Sequence, residues 1–150
     1  MNFKNFKTLM MTTLIVLTLT NYSHSELVLV SYNKNGDFYF FDTRVYEYVE
    51  EEKMTMFKIL STHENSYLLS NVVFLGPDDE DKNFKSTSLM LAAKCESQEV
   101  MIIEEGYFSG ILGEGEVVYI SEEIGKFYPI DQLAFPPANA INYVCNYKVD

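Results

Sequence analysis

From Leu27 to Ser121 the chain is a succession of short β-prone runs broken by turn residues, a pattern that points to a mainly β domain. Leu27 to Tyr32 is continuously apolar, as in a strand buried on both faces. Asn33-Lys34-Asn35-Gly36 is a hairpin-turn signal, and Asp37 to Phe41 resumes as a second strand. Val45 to Val49 and Lys53 to Leu60 read as two further strands joined by the charged turn Glu50-Glu51-Glu52. In the second of these, Met54, Met56, Lys58 and Leu60 alternate with Thr55, Phe57 and Ile59, so the two sets face opposite ways. Ser86 to Cys95 alternates as well, with Leu89, Leu91, Ala93 and Cys95 on one face. Val100 to Phe108 and Glu116 to Ser121 follow, the latter after a glycine-rich loop. Residues 63–85 are polar, then apolar, then acidic, and read as a long, partly ordered excursion with an exposed acidic tip. Pro136 and Pro137 then open a short helix, where the missing proline N–H leaves no bond unmade. Ala138, Ile141, Val144 and Cys145 share one face of it, spaced to dock on a sheet.

The amino terminus sets the expected compartment. Lys4 and Lys7 precede a short apolar run, Leu9 to Leu19, and Ser23-His24-Ser25 offers small residues before Glu26. This is the pattern of a cleaved secretory signal peptide, residues 1–25, followed by one domain over 26–150. The apolar run is about half the roughly 20 residues that span a bilayer, so no transmembrane segment is expected. No cysteine follows it to accept a lipid. The expected location is the periplasm or the cell surface, associated with the outer membrane. Cleavage removes two lysines and no acids, taking the net charge from −11 to −13 over 125 residues. Such a charge repels nucleic acid and anionic lipid surfaces and suits a basic partner. The only cysteines, Cys95 and Cys145, both lie in the exported part, where an oxidising compartment favours one disulfide stapling helix to sheet.

Motifs for chemistry are weak. His63, with Glu64 beside it, is the one histidine beyond residue 25 and reads as a surface residue rather than a base. With no free thiol or second histidine there is no Cys–His pair and no histidine-rich metal set, so neither catalysis nor a cofactor is expected. Asp79, Asp81 and Asn83 have the first spacings of a calcium loop, but Phe84 and Met90 stand where glycine and glutamate are needed. Gly113-Glu114-Gly115 resembles a phosphate loop only superficially: Val118 replaces the third glycine and Glu114 and Glu116 would repel the ligand. It reads as a hairpin loop. Glu104 and Glu105 are strand neighbours on opposite faces, so one of them requires a partner on the core side. Tyr32, Tyr39, Tyr46, Tyr48, Tyr107 and Tyr119 fall on strands, either capping a small β core or forming a recognition face.

One stretch carries a family resemblance. LAAKCESQEVMIIEEGYFSGILGEGEVVYIS, then FYPI, then PPANAINYVC, resembles the surface-adhesin E family of Gram-negative bacteria. The matching features are Cys95, Tyr107-Phe108-Ser109-Gly110, Val117-Val118-Tyr119, Phe127-Tyr128-Pro129 and Cys145, together with Gly36-Asp37-Phe38-Tyr39 near the start. The family's tryptophan positions are not tryptophan here, and the 63–85 excursion is longer. The resemblance implies an α+β, mainly β fold: an antiparallel sheet of about six strands with the C-terminal helix docked on it. It also implies a non-enzymatic surface protein binding host extracellular-matrix or plasma proteins, although no ligand-contact motif is matched residue by residue. Acidity and small size equally fit a periplasmic inhibitor of a basic lysozyme. Some such inhibitors carry a Ser-Gly-x-x-Tyr loop; here Ser109-Gly110-Ile111-Leu112 is followed by Gly113. An envelope protein without a host ligand is the remaining expectation.

Overall fold

The first six strands each pair with their sequence neighbours, so the sheet is an antiparallel meander. The computed structural model describes residues 27–73, 75, 80–121, 125–133 and 136–147; the expected signal peptide lies outside them. The strands are β1 (Leu27–Tyr32), β2 (Asp37–Val49), β3 (Met54–Leu68), β4 (Asn83–Lys94), β5 (Glu99–Phe108), β6 (Val117–Ser121) and the two-residue β7 (Tyr128–Pro129). They lie in the order β1-β2-β3-β4-β5-β6, with β7 pairing the free stretch of β5. Two 3-10 turns, Leu69–Asn71 and Ile130–Gln132, and one helix, α1 (Ala138–Cys145), complete the described elements.

The β1–β2 turn forms because Asn33 closes it with its own side chain. Its Oδ1 accepts the N–H groups of Asn35 and Asp37 at 2.9 and 3.1 Å. Gly36 then takes φ +81°, and a Cβ there would stand 2.8 Å from the Cβ of Glu64. β1 is an edge strand and only half covered: Leu29 is 50% and Tyr32 73% exposed. The expectation of burial on both faces is therefore corrected. A continuous apolar run fits a central strand and an edge strand equally well.

Two expected breaks in the chain are bulges inside longer strands. β2 runs unbroken through Asp42-Thr43-Arg44, where three residues loop out between the pairs Asp42↔Lys58 and Tyr46↔Phe57. Arg44 folds back there to donate to both oxygens of Asp42, at 2.9 and 2.8 Å. Likewise β3 continues to Leu68, so residues 63–68 are strand rather than excursion. The polar run His63 to Ser66 is a bulge between Thr62↔Ser86 and Tyr67↔Phe84. What remains of the excursion is tied down at both ends. Ser70 donates its N–H and its hydroxyl to Asp81, and the Leu69 N–H bonds to the Lys82 carbonyl. Those bonds hold the Asp81 carboxyl below the ordinary carboxylate range.

One face of the sheet carries the core. Phe41, Phe57, Ile59, Leu89, Leu91, Ala93 and Val100 are buried against Ile130 and the Ala140, Ile141 and Val144 face of α1. An eight-residue helix is marginal alone, and three tertiary links hold this one. They are the buried face itself, a hydrogen bond from Ser31 to Asn139 at 3.1 Å, and the Cys95–Cys145 disulfide with Cα atoms 5.5 Å apart. Cys95 sits in the turn just after β4 rather than on the strand itself. A second apolar cluster of Leu69, Phe84 and Tyr107, flanked by Val73 and Leu75, covers the far end of the same face. All four methionines beyond residue 26 alternate onto the other face: Met54, Met56, Met90 and Met101.

Candidate functional site

Among the described residues the two covers form separate clusters, and the sheet beside them floors a pocket of about 460 Å³. Its lining comes from four strands. Asp37 lies on β2, His63 and Tyr67 on β3, Phe84 and Thr87 on β4, and Glu105 and Tyr107 on β5. Val72 closes one side from the far cover, and Leu133 closes the other from the segment leading to α1.

At its centre is a buried polar line that the sequence reading did not foresee. Asp37 and His63 are directly opposed in the β2–β3 ladder, and Asp37 Oδ1 lies 2.7 Å from His63 Nδ1. The Nε2 side of the ring faces Ser61 Oγ at 3.3 Å and Thr87 Oγ1 at 3.4 Å. Asp37 is further satisfied by the Asn33 amide at 2.7 Å and the Tyr67 hydroxyl at 3.4 Å. His63 is thus a buried, hydrogen-bonded residue, 8% exposed. The expectation of a surface histidine is overturned, because the polar run around it is a strand bulge. Its ring also packs edge-on against Tyr67 and Phe84, with centroids 4.9 and 5.6 Å apart.

An acid, an imidazole and a hydroxyl in a row are the groups of a nucleophilic hydrolase, so the arrangement has to be weighed as chemistry. Thr87 lies mid-ladder between Ser61 and Tyr107. Strand N–H groups point along the sheet to neighbouring strands rather than up into a pocket on its face, so they are not aimed at a developing oxyanion. The hydroxyl that would attack is itself only 1% exposed. The line therefore reads as a means of satisfying buried polar groups and fixing the pocket floor. Among the described residues no three His, Cys, Asp or Glu side chains converge as a metal-ligand set.

The remaining polar group of the pocket is Glu105. Opposite Leu89 in the β4–β5 ladder, it faces the covered side of the sheet, whereas Glu104 is exposed on the other. The Tyr107 hydroxyl donates to it at 3.1 Å, supplying the partner that a core-side glutamate needs. Burial, and then the Glu105 charge, push the Tyr107 phenol far above its ordinary value. Tyr39 is pushed up to about 12, first by burial and then by Asp37. Tyr39 and Tyr107 belong to the core, Tyr46 and Tyr119 are half-buried, and Tyr32 and Tyr48 are exposed on opposite faces of the sheet, so the six strand tyrosines form no single exposed face. The Gly113-Glu114-Gly115 segment is a hairpin loop. It folds onto the open face through Ser86, whose Oγ donates to the Gly110 carbonyl at 2.6 Å and accepts the Gly113 N–H at 2.9 Å.

This fold is similar to that of protein E from Haemophilus influenzae. Its selenomethionine form aligns with a TM-score of 0.53 at 14% identity, covering 85% of this chain and 92% of that one. A second crystal form aligns with a TM-score of 0.51, also at 14% identity, covering 84% and 91%. At this identity the likeness is one of fold. No protein-family model matches the sequence, and no curated protein matches it either. Among the described residues no helix is long and apolar enough to cross a membrane.

Proposed function

We propose that the chain is an exported, non-enzymatic binding protein that recognises another protein in an adhesin-like manner. Residues 1–25 are its signal peptide and 26–150 its single domain. The observation that carries this reading is the open sheet face. Leu29, Tyr32 and Phe38 lie together on it at the β1–β2 edge, 50%, 73% and 42% exposed, and Val117 and Ile120 are exposed at the opposite edge. The β5–β6 loop covers Ser86 between these edges, and the four methionines lie on the same face toward the other end of the strands, where their unbranched, polarisable side chains adapt to varied partners. Aromatic and methionine enrichment marks recognition surfaces. The protein E-like fold supports the reading, since the sequence resemblance leads to the same place.

The net charge of −13 left after signal-peptide cleavage selects a partner with a basic surface, and host extracellular-matrix or plasma proteins are the class proposed. The same charge favours a second reading, inhibition of a basic lysozyme. Association rates with matrix proteins and with a basic lysozyme, each at two salt concentrations, separate the two. Binding to a matrix protein that is weakened by Tyr32→Ala and Phe38→Ala supports adhesion. Salt-sensitive binding to lysozyme with loss of its activity supports inhibition. Turnover of any substrate that disappears in His63→Ala refutes the non-enzymatic reading.

A further inference from the structure

Three of the methionines surround a single small residue. In the β3–β4–β5 ladders Ala92 stands between Met56 and Met101, while Met90 and Lys94 precede and follow it on the same face of β4. Strand spacing sets Met56 and Met101 about 10 Å apart across the alanine, and Met90 about 7 Å from it along the strand. Ala92 is 0% exposed although it lies on the face opposite α1, so the flexible side chains around it close over its methyl group. The fourth neighbour is engaged elsewhere: the Lys94 ammonium sits over the Phe127 ring, 4.2 Å from its centre. Met56, Met90 and Met101 are each half-buried, open enough for an ion to enter and sheltered enough to hold it. Met54 lies one row further out, paired with Val49.

We propose that Met56, Met90 and Met101 form a three-thioether site for copper(I) above Ala92. Thioether sulfur is a soft, uncharged donor that selects copper(I) over harder divalent ions. Leucine or isoleucine at these positions would cover the alanine equally well; what methionine adds is sulfur. The alanine matters as much, because a larger side chain there would fill the space into which the three sulfurs reach. The surrounding charges suit one positive ion. Glu47 lies opposite Met56, Glu104 opposite Met90 and Glu99 opposite Lys94, so three carboxylates flank the ring against two lysines, Lys58 and Lys94. Lys58 in turn lies opposite Asp42 and favours its ionised carboxyl. The site does not rest on the protein-binding reading, since the ion alone is its ligand.

The test uses protein labelled with carbon-13 at the methionine ε-methyl groups. It is titrated with silver(I), a redox-stable stand-in, in chloride-free buffer, and with copper(I) against a chromogenic chelator in the absence of oxygen. The Met56, Met90 and Met101 methyl signals should move together and saturate at one ion per chain, with Met54 moving little. Zinc(II) and calcium(II) should leave all four in place. Leucine replaces methionine with little change of volume, so single Met56→Leu, Met90→Leu and Met101→Leu variants should stay folded. Each should weaken copper(I) binding by at least about tenfold, and Met54→Leu by less than about twofold. Thioethers carry no proton, so affinity should be flat between about pH 5 and 8, whereas binding through the His63 imidazole would fall with acid. Loss of copper(I) binding in leucine variants whose circular dichroism and melting temperature match the parent sustains the site. Methyl signals that move independently or not at all, an equal response to zinc(II), an acid-sensitive affinity, or leucine variants that bind as the parent does would each overturn it.

Discussion

Replacing both cysteines, Cys95→Ala with Cys145→Ala, should destabilise the protein by about 4 kcal/mol. The bridge closes a loop with a sequence separation of 50. On the chain-entropy relation this takes about 14 cal/mol/K from the unfolded ensemble, or about 4 kcal/mol at 25 °C. For a domain of this size the melting temperature should fall by roughly 15 °C. That is a large part of the roughly 5–15 kcal/mol by which a domain is usually stable. Urea unfolding followed by far-UV circular dichroism and tyrosine fluorescence gives the number, there being no tryptophan to interfere. The slope against urea should rise slightly, because the uncrosslinked unfolded chain exposes more surface. Hydrogen exchange should show the α1 amides losing protection first, since the helix is then held without a covalent link, by its buried face around Ala140, Ile141 and Val144 and by the Ser31–Asn139 bond. A double variant within about 1 kcal/mol of the parent would refute the reasoning, as would undiminished protection in α1.

Asp37→Ala leaves His63, Asn33 and Tyr67 without their shared acceptor and should lower stability by about 2–3 kcal/mol in urea melts, with the largest shift changes around the pocket. Gly36→Ala forces a side chain into positive φ against Glu64 and should lower stability by about 1–3 kcal/mol. At high pH the unfolded chain ionises Tyr39 and Tyr107 near pH 10 while the folded chain keeps them neutral. Each therefore removes about 1.4 kcal/mol of stability per pH unit as pH rises from 10 towards 12. Tyr107→Phe should take away about half of that slope in melts recorded across the range. At low pH the Arg44 bonds hold the Asp42 carboxyl below its ordinary 3.8, so its stabilisation is full above that value and is lost as pH falls through the lowered one. Asp42→Asn should flatten that part of the acid limb.

Most of the sheet was legible because its signals are local. Alternation within β3 separated Phe57 and Ile59 from Met56 and Lys58, and the structure buries the first pair on the helix-bearing face. The helix and its disulfide were equally plain, as was the loop between β5 and β6. Where polarity interrupts a strand, the reading failed, because a bulge and a loop look alike in sequence. That failure also hid the pocket. Counting straight back from Val49↔Met54 puts Ser66 opposite Asp37. The three residues looped out after Asp42 shift the register and bring His63 there instead. Asp37, Thr87 and Glu105 are far apart in sequence, and only the register of three successive ladders gathers them. Nothing in their local sequence marks them as neighbours.

The meander order bears on how the chain is completed. Each strand finds its partner already made, so the sheet can grow in the direction of synthesis with few long-range closures. The disulfide breaks that rule. Cys95 emerges in the β4–β5 turn and must wait through β5, β6, β7 and nearly all of α1 before its partner exists. A chain that stops early therefore carries a lone thiol on an otherwise plausible sheet, open to capture by oxidoreductases or by another such chain. The bond is in this sense a mark of completion: it can form correctly only in a molecule that has been made to Cys145.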